Sequence, residues 1–214
     1  MTLFRLDASI REEGSASREI ADIVVEEWLA VHPGDVIERR HIGVDPLPAD
    51  AWSLAVGAAW VPEPERSPEQ RSAVALAAAL LDELLAADAI VLAVPLYNYG
   101  VSQHMKTWID LIIADPRAGA GAPPVLAGKT VVLCTVRGGA YGAGTPREGW
   151  DYSTGYLRRI LGELWGADLT VVERELTLVG VNPAMDAYKD AAAALHTEAR
   201  SAAQQAGKAL AVVS

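Results

Sequence analysis

Serine and glycine residues are concentrated in the segment Ser9–Ser17, which follows a strand-like run and precedes a helical one. Backbone N–H groups at a helix start, together with the positive end of the helix dipole, favour anion binding there. The hydroxyls of Ser9, Ser15 and Ser17 add donors, and Gly14 permits a tight turn. We therefore predict a phosphate site, although Ser15 or Ser17 acting only as a helix N-cap would explain the same residues.

The sequence pattern of this loop also limits which phosphate-containing ligands it could bind. No Gly-Lys-Ser/Thr triplet follows it, and the Gly-x-Gly-x-x-Gly pattern of a dinucleotide fold is missing. The sequence thus argues against ATP and against a tightly bound NAD as the resident ligand.

Aromatic and amide side chains are placed together in a second loop, Pro95–Gly100. Tyr97 and Tyr99 flank Asn98, whose side chain offers both a donor and an acceptor. Such a set suits the faces and edge of a planar heterocycle. The alternative is an ordinary loop whose tyrosines pack on the surface.

Paired glycines mark a third loop, which starts at Val136 and runs through Arg137 and Tyr141 to Gly142. Gly138 and Gly139 would let the backbone approach a ligand closely. A flexible turn is the alternative for this loop.

Strands that alternate with helices must position these loops. Continuous apolar runs predict strands at Ala89–Val94 and Thr130–Val136, and further strands are expected at Thr2–Ala8, Asp35–His41 and Leu169–Leu178. Helical spacing predicts helices at Arg18–His32, Ser67–Ala87, Ser102–Ile113, Gly155–Trp165 and Met185–Val212. This alternation is typical of an α/β protein with a doubly wound, five-stranded parallel sheet, order 2-1-3-4-5, with helices on both faces.

The strand order predicts where a ligand binds, because the cleft of such a sheet lies beyond the carboxyl ends of strands 1 and 3. All three loops follow strands at that edge. Their coincidence favours a flavin, with its phosphate on Ser9–Ser17. No repeat or low-complexity linker interrupts the chain, so we expect residues 1–214 to form a single domain.

Composition excludes several classes of protein. The chain has 214 residues, 51% of them hydrophobic and 21% charged, which is ordinary for a globular protein. A net charge of −10 disfavours nucleic acids and anionic membrane surfaces. The one cysteine, Cys134, lies in a predicted buried strand and is expected to be a small apolar residue. The sequence has no signal-peptide pattern at its start, so we expect a cytoplasmic protein. We also expect no metal site.

The runs Leu6–Arg11 and Gly14–Glu19, followed by Pro95–Tyr99 and Arg137–Gly139, resemble the FMN-dependent NADH azoreductase and quinone reductase family, which is flavodoxin-like. The similarity spans nearly the whole chain. It implies a homodimer with active sites at the interface, and hydride transfer from NADH or NADPH through FMN to a quinone, azo or nitro acceptor by a ping-pong sequence. The implied FMN contacts are Ser9, Ser15, Ala16, Ser17, Pro95, Leu96, Tyr97, Asn98, Tyr99, Val136, Arg137, Gly138 and Gly139.

The chain departs from that family on the substrate side. The stretch Asp115–Gly128 is short and made largely of Ala, Gly and Pro. Tyr141 stands where azoreductases often place a His, and Trp60 lies in a segment that helps to form the acceptor site. We expect Trp60 and Tyr141 to line the substrate pocket, while Tyr99 or Tyr141 could assist the acceptor by a hydrogen bond. The segment Trp52–Ser67 is long for a connection and is expected to be a lid, a dimer contact or both.

Two other functions remain open at this point, and a third is disfavoured by the sequence. The altered pocket also fits a specialised flavin-dependent reductase with one narrow substrate. An FMN electron carrier would share the fold but lack a nicotinamide step. A receiver-type signalling domain needs an Asp at the end of strand 3, where this chain has Val94-Pro95-Leu96.

Overall fold

A computed structural model describes residues 1–213. Its sheet has five parallel strands in the order β2-β1-β3-β4-β5. The strands are β1 (Thr2–Asp7), β2 (Val36–Arg40), β3 (Ala89–Pro95), β4 (Thr130–Val136) and β5 (Asp168–Arg174). The α-helices are α1 (Ala16–Val31), α2 (Ala51–Ala58), α3 (Pro68–Ala86), α4 (Gln103–Ala114), α5 (Thr154–Arg158) and α6 (Lys189–Val213). The predicted fold class and strand order are confirmed.

Two hydrophobic clusters cover the two faces of the sheet. Helices α1 and α6 pack on one face, and α2 to α5 pack on the other. Strand β3 serves both clusters, because Ile90 and Leu92 enter one while Val91 and Ala93 enter the other. A central strand buried on both faces must be apolar throughout, as Ala89–Pro95 is.

Four sequence-based boundaries need correction. The segment Trp52–Ser67 is not a long irregular connection, because it contains most of α2 and the 3-10 turn Glu63–Glu65. Alanines of α2 pack on the core, and spacing among small residues gives a weak helical signal. The helix predicted at Gly155–Trp165 is α5 continued by a π-helical turn, Arg159–Leu164.

The other two corrections concern the end of the chain. The last strand ends at Arg174 rather than Leu178, because the chain turns at Leu176, whose φ is +58°. The terminal α-helix begins at Lys189, after a 3-10 helix at Pro183–Tyr188, and not at Met185. Within the described residues, no helix combines the length and apolarity needed to cross a membrane.

Candidate functional site

The three loops selected from the sequence meet in space at the carboxyl edge of the sheet. They border one cavity of about 120 Å³. The lining residues are Ser9, Arg11, Ser15, Ala16, Ser17, Pro95, Leu96, Tyr97, Val136, Gly138, Thr177 and Leu178. Parallel strands end at the same edge, so the order β1-β3-β4 brings the loops together.

The first of these loops, Ser9–Ser17, is here called the phosphate loop, and it leads into the first turn of α1. Ser15 is the N-cap, with its hydroxyl accepting from the Arg18 N–H at 3.4 Å. The predicted capping role is confirmed, and it leaves room for a second role. The hydroxyls of Ser15 and Ser17 lie 3.2 Å apart, and the N–H groups of Ala16 and Ser17 have no acceptor within the helix. Hydroxyl and amide donors therefore converge on one end of the cavity.

Two arginines that the sequence reasoning missed fix the shape of the phosphate loop. The Arg18 guanidinium donates to the Arg11 and Glu12 carbonyls, the latter at 2.6 Å. A cation in the first helical turn is unfavourable, because that end of the helix dipole is positive. The position of Arg18 in the sequence could therefore have indicated that its side chain has a structural role in the loop. Beneath it, buried Arg5 pairs with Asp7 at 3.1 Å and ties strand β1 to helix α1.

The turn after β2 packs against the start of the phosphate loop. A Cβ on Gly43 would lie 2.0 Å from the Ser9 carbonyl oxygen, and only glycine permits that approach. On the other side, the Tyr97 hydroxyl lies 3.3 Å from the Ser9 Oγ and accepts from the Ile10 N–H at 3.2 Å. Ser9 is thus held between the loops that follow β2 and β3.

The second loop is a tight turn with unusual backbone angles. Asn98 and Tyr99 have φ values of +47° and +68°, and Tyr97 and Gly100 exchange hydrogen bonds of 3.0 and 3.3 Å. Positive φ at both central residues defines a type I′ turn. Asparagine tolerates this conformation, but tyrosine does so at a cost of about 1–2 kcal/mol. The turn exposes the Tyr99 ring at the mouth of the cavity.

The third loop is closed by a segment that the sequence did not reveal as part of the site. Chain after β5 folds back, and the Thr177 and Leu178 N–H groups donate to the carbonyls of Arg137 and Gly138. A Cβ on Gly138 would lie 2.7 Å from the Leu178 side chain. The sequence did not predict this contact, because residues 175–178 were assigned to the last strand.

Arg137 was predicted among the cofactor contacts, but it does not line this cavity, and its side chain is engaged by acidic residues. Its guanidinium is buried and pairs with Asp151 at 2.6 Å, Glu173 at 2.7 Å and Glu175 at 3.5 Å. Burial opposes the charged form, yet these carboxylates, Glu173 foremost, still raise the pKa of Arg137. The side chain of Arg137 is therefore better explained as the centre of a group of ion pairs than as a contact to the cofactor.

The Arg137 ion-pair centre supports an aromatic surface at the mouth of the cavity. Glu175 accepts from the Tyr141 N–H at 3.0 Å, and Tyr141 lies 6.4 Å from Tyr99, measured between ring centroids. Trp150, which the sequence reasoning missed, meets Tyr99 edge-on at 5.5 Å. Tyr99, Tyr141 and Trp150 are called the aromatic wall below.

Tyr99 and Tyr141 of the aromatic wall border a second cavity of about 270 Å³, which shares lining residues with the first. Its lining residues are Leu96, Tyr97, Asn98, Tyr99, Gly138, Gly139, Tyr141, Arg147 and Leu178. Burial raises the pKa of the Tyr141 hydroxyl, so this group is a neutral donor at physiological pH. The cavity can therefore offer ring faces and a phenolic O–H to a planar molecule.

Trp60 lies apart from Tyr141, its predicted companion in the substrate pocket. Its side chain follows α2, is 87% exposed and lines neither cavity. Cys134 is fully buried in β4, and burial raises its pKa to about 12. Its prediction as a small apolar residue agrees with this burial.

Comparison with known proteins gives the same fold and identifies relatives. A family model described as a flavodoxin-like fold matches residues 1–204. An FMN-dependent NADH:quinone oxidoreductase of Frankia casuarinae is 40% identical over 204 residues, which cover 94% of this chain and 96% of that protein.

Two solved structures share the fold at low sequence identity. An azoreductase from Bacillus anthracis str. Sterne gives a TM-score of 0.78 at 21% identity, with 98% of this chain and 99% of that one covered. An FMN-dependent NADH-azoreductase from Bacillus anthracis in complex with FMN gives a TM-score of 0.75 at 17% sequence identity, with 97% of this chain and 100% of that one covered. From the family model and the 40% identity, the chain belongs to the flavodoxin-like family, among FMN-dependent NADH:quinone oxidoreductases, as its sequence motifs predicted.

Proposed function

We propose that the protein is an FMN-dependent NADH oxidoreductase that reduces a quinone or a related azo acceptor. The observation that carries this proposal is the cavity at which the phosphate loop, the Tyr97–Tyr99 turn and the Gly138–Gly139 loop meet. The activity named for the Frankia relative supports the same conclusion.

The donor set suits a flavin mononucleotide. Phosphate needs several donors at one point, and Ser15, Ser17 and the free N–H groups of the first α1 turn supply them. Arg11 lines the same end and adds a positive charge. Leu96 and Tyr97 border both cavities, as residues along a ring that extends from one to the other would do.

When bound, FMN supplies the hydride and electron transfer itself. The chain would hold the phosphate at the Ser15–Ser17 end, and Leu96 and Leu178 would exclude water from the cavity. Gly138 leaves room for the Leu178 side chain, which occupies the space that a Cβ at this position would need. Tyr141, with its raised pKa, keeps its proton and can donate a hydrogen bond to an acceptor oxygen. No acid or base side chain is assigned to the transfer.

The finer features of the activity belong to the same proposal. NADH and the acceptor would occupy the cavity beside the aromatic wall in turn, which gives ping-pong kinetics, and NADPH remains an alternative reductant. A specialised reductase with one narrow acceptor would have the same cofactor contacts, and the exposed aromatic wall favours a broader range of planar acceptors.

We further propose a single-domain, cytoplasmic homodimer. Trp52 and Trp60 are 47% and 87% exposed on and after α2, while the alanines of that helix are buried against α3 and α4. Exposed tryptophans are costly in water and typical of interfaces. In a dimer, Trp60 would reach a substrate pocket only across the interface, or by closing over it as a lid.

The visible spectrum of the purified protein tests the function directly. We expect flavin absorbance, bleaching of that absorbance by NADH without oxygen, and its return when a quinone is added. Protein that neither carries nor binds FMN would contradict the proposal. Bleaching that needs a separate reductase would instead indicate an electron carrier.

A pair of variants tests the phosphate loop. The Ser15→Ala/Ser17→Ala double variant should bind FMN at least about tenfold more weakly, because hydrogen bonds to a charged group contribute about 1.5–3 kcal/mol. Ser201→Ala, an exposed serine on α6, is the matched control and should leave the affinity unchanged. Fluorescence quenching of added FMN measures both.

A further inference from the structure

Arg147 is a half-buried arginine that makes no hydrogen bond or ion pair through its side chain within residues 1–213. Its guanidinium carbon lies 5.9 Å from the ring centroid of Tyr141, and it borders the cavity beside the aromatic wall. The nearby carboxylate of Glu175 is already engaged by Arg137 and by the Tyr141 N–H. In a chain of net charge −10, an arginine without a carboxylate partner at a cavity is free to attract an anion.

Gly139 allows this guanidinium to sit where it does. A Cβ on Gly139 would lie 2.2 Å from the Arg147 Nη1. The positive charge therefore rests directly against the backbone of the third loop, and not out in solvent. A second arginine, Arg11, lines the other cavity from within the phosphate loop, and its side chain has no hydrogen-bond or ion-pair partner among residues 1–213.

The two arginines would act on different charges of the cofactor. The FMN phosphate is negative in both redox states. The oxidised ring is neutral, whereas two electrons and one proton convert it to a ring with one negative charge. A cation beside the ring therefore stabilises the reduced form selectively, while a cation beside the phosphate stabilises both forms equally.

We propose that Arg147 holds positive charge against the flavin ring and raises the reduction potential of bound FMN by favouring its reduced, anionic form. This inference rests on the proposed FMN function and adds to it a residue that sets the driving force for reduction by NADH. The Tyr141 ring and Gly139 backbone keep the guanidinium in place, so little reorganisation is needed when the ring becomes charged.

Affinity and potential together test the proposal without an activity assay. The dissociation constant of oxidised FMN comes from fluorescence quenching with apoprotein, and the two-electron potential from an anaerobic titration with dithionite and a reference dye. For Arg147→Gln we expect reduced FMN to bind about tenfold more weakly, which corresponds to a potential about 30 mV lower. Binding of oxidised FMN should stay nearly unchanged, and Arg147→Lys should retain most of the potential.

Two matched variants separate charge at the ring from charge in general. Arg11→Gln should weaken both redox forms equally and leave the potential unchanged. Arg39→Gln removes the same charge from an exposed residue of β2 and should change neither quantity.

The results that overturn the proposal differ from those that overturn the function. An Arg147→Gln protein with wild-type potential, or with equal loss of affinity for both forms, would show that Arg147 has no selective effect on the reduced ring. Absence of FMN binding in the wild-type protein would instead remove the proposed function itself.

Discussion

The phosphate loop and the aromatic wall lie side by side yet are built on opposite principles. In the phosphate loop, Ser9, Ser15 and Ser17 are all buried, and hydrogen bonds link the loop to the Tyr97 hydroxyl. In the aromatic wall, Tyr99 and Trp150 are 42% and 49% exposed, and they contact each other mainly through ring edges.

This difference matches what each region is proposed to bind. A phosphate has one shape and one charge, so a fixed set of donors is the best arrangement for it. Acceptors and nicotinamide differ in shape, and exposed rings with few fixed hydrogen bonds can contact several planar molecules. The backbone of the aromatic wall is nevertheless fixed at Tyr141, because Glu175 links the Tyr141 N–H to buried Arg137.

Removal of the Arg137 guanidinium, which fixes the aromatic wall through Glu175, should have the largest effect on stability. Arg137→Met leaves Asp151, Glu173 and Glu175 close together without their cation. We expect a loss of about 3 kcal/mol in the free energy of unfolding, at the low end for a broken buried pair because Glu173 is partly exposed. Urea denaturation measures this.

An exposed arginine provides the control for that change. Arg159→Met removes an exposed pair with Glu163 and should cost no more than about 1 kcal/mol. If the two variants lose equal stability, the aromatic wall has no buried anchor, and the contrast between the regions is weaker than described.

A smaller effect is expected where the phosphate loop packs on its neighbour. Gly43→Ala places a Cβ 2.0 Å from the Ser9 carbonyl oxygen, and backbone on both sides leaves little room to adjust. We expect a loss of about 1–3 kcal/mol in the free energy of unfolding. FMN affinity should also fall, because Ser9 and the loop after it must move.

Gly34→Ala is the matched control, since a Cβ there meets nothing within 4 Å. That variant should be as stable as wild type or slightly more so. Unchanged FMN binding in Gly43→Ala would mean that the phosphate loop tolerates displacement and is not the rigid region.

How far the sequence predicted this site depended on whether the signal was local. Apolar runs in β3 and β4 and the loop chemistry at Ser9–Ser17 are local features, and they were enough for the fold and the meeting of three loops. Gly43 and Trp150 escaped notice because their roles depend on partners distant in the chain. Arg137 was assigned to the cofactor on position alone, and its carboxylate partners became apparent only when β5 was placed beside β4.

Composition also misled where helix, strand and loop signals overlap. The turn at Leu176 interrupts the predicted strand Leu169–Leu178, and no glycine stands at the change of direction. Helix α2 is short and rich in small residues, so its periodicity is weak, and its contacts with α3 and α4 stabilise it. Tertiary contacts decide such segments.

The smallest stability effect, and the sharpest test of the aromatic wall, concerns Tyr99. Tyr99→Asn should relieve about 1–2 kcal/mol of backbone strain at φ +68°, because asparagine tolerates that conformation. It also removes ring contacts with Tyr141 and Trp150, which contribute about 0.5–1.5 kcal/mol each. The two terms largely offset each other, so the free energy of unfolding should change by between a gain of about 1 kcal/mol and a loss of about 2 kcal/mol.

Activity should respond more strongly than stability. We expect kcat/KM for a quinone to fall by about tenfold in Tyr99→Asn, since the exposed ring face is lost, while FMN affinity falls less than in the Ser15→Ala/Ser17→Ala variant. Tyr99→Phe keeps the ring and the strained turn, so it should match wild type in both measurements. If Tyr99→Phe is as slow as Tyr99→Asn, the hydroxyl and not the ring face acts on the acceptor. If neither variant is slow, Tyr99 has no part in contacting the acceptor, and the adaptable surface must lie with Tyr141 and Trp150 alone.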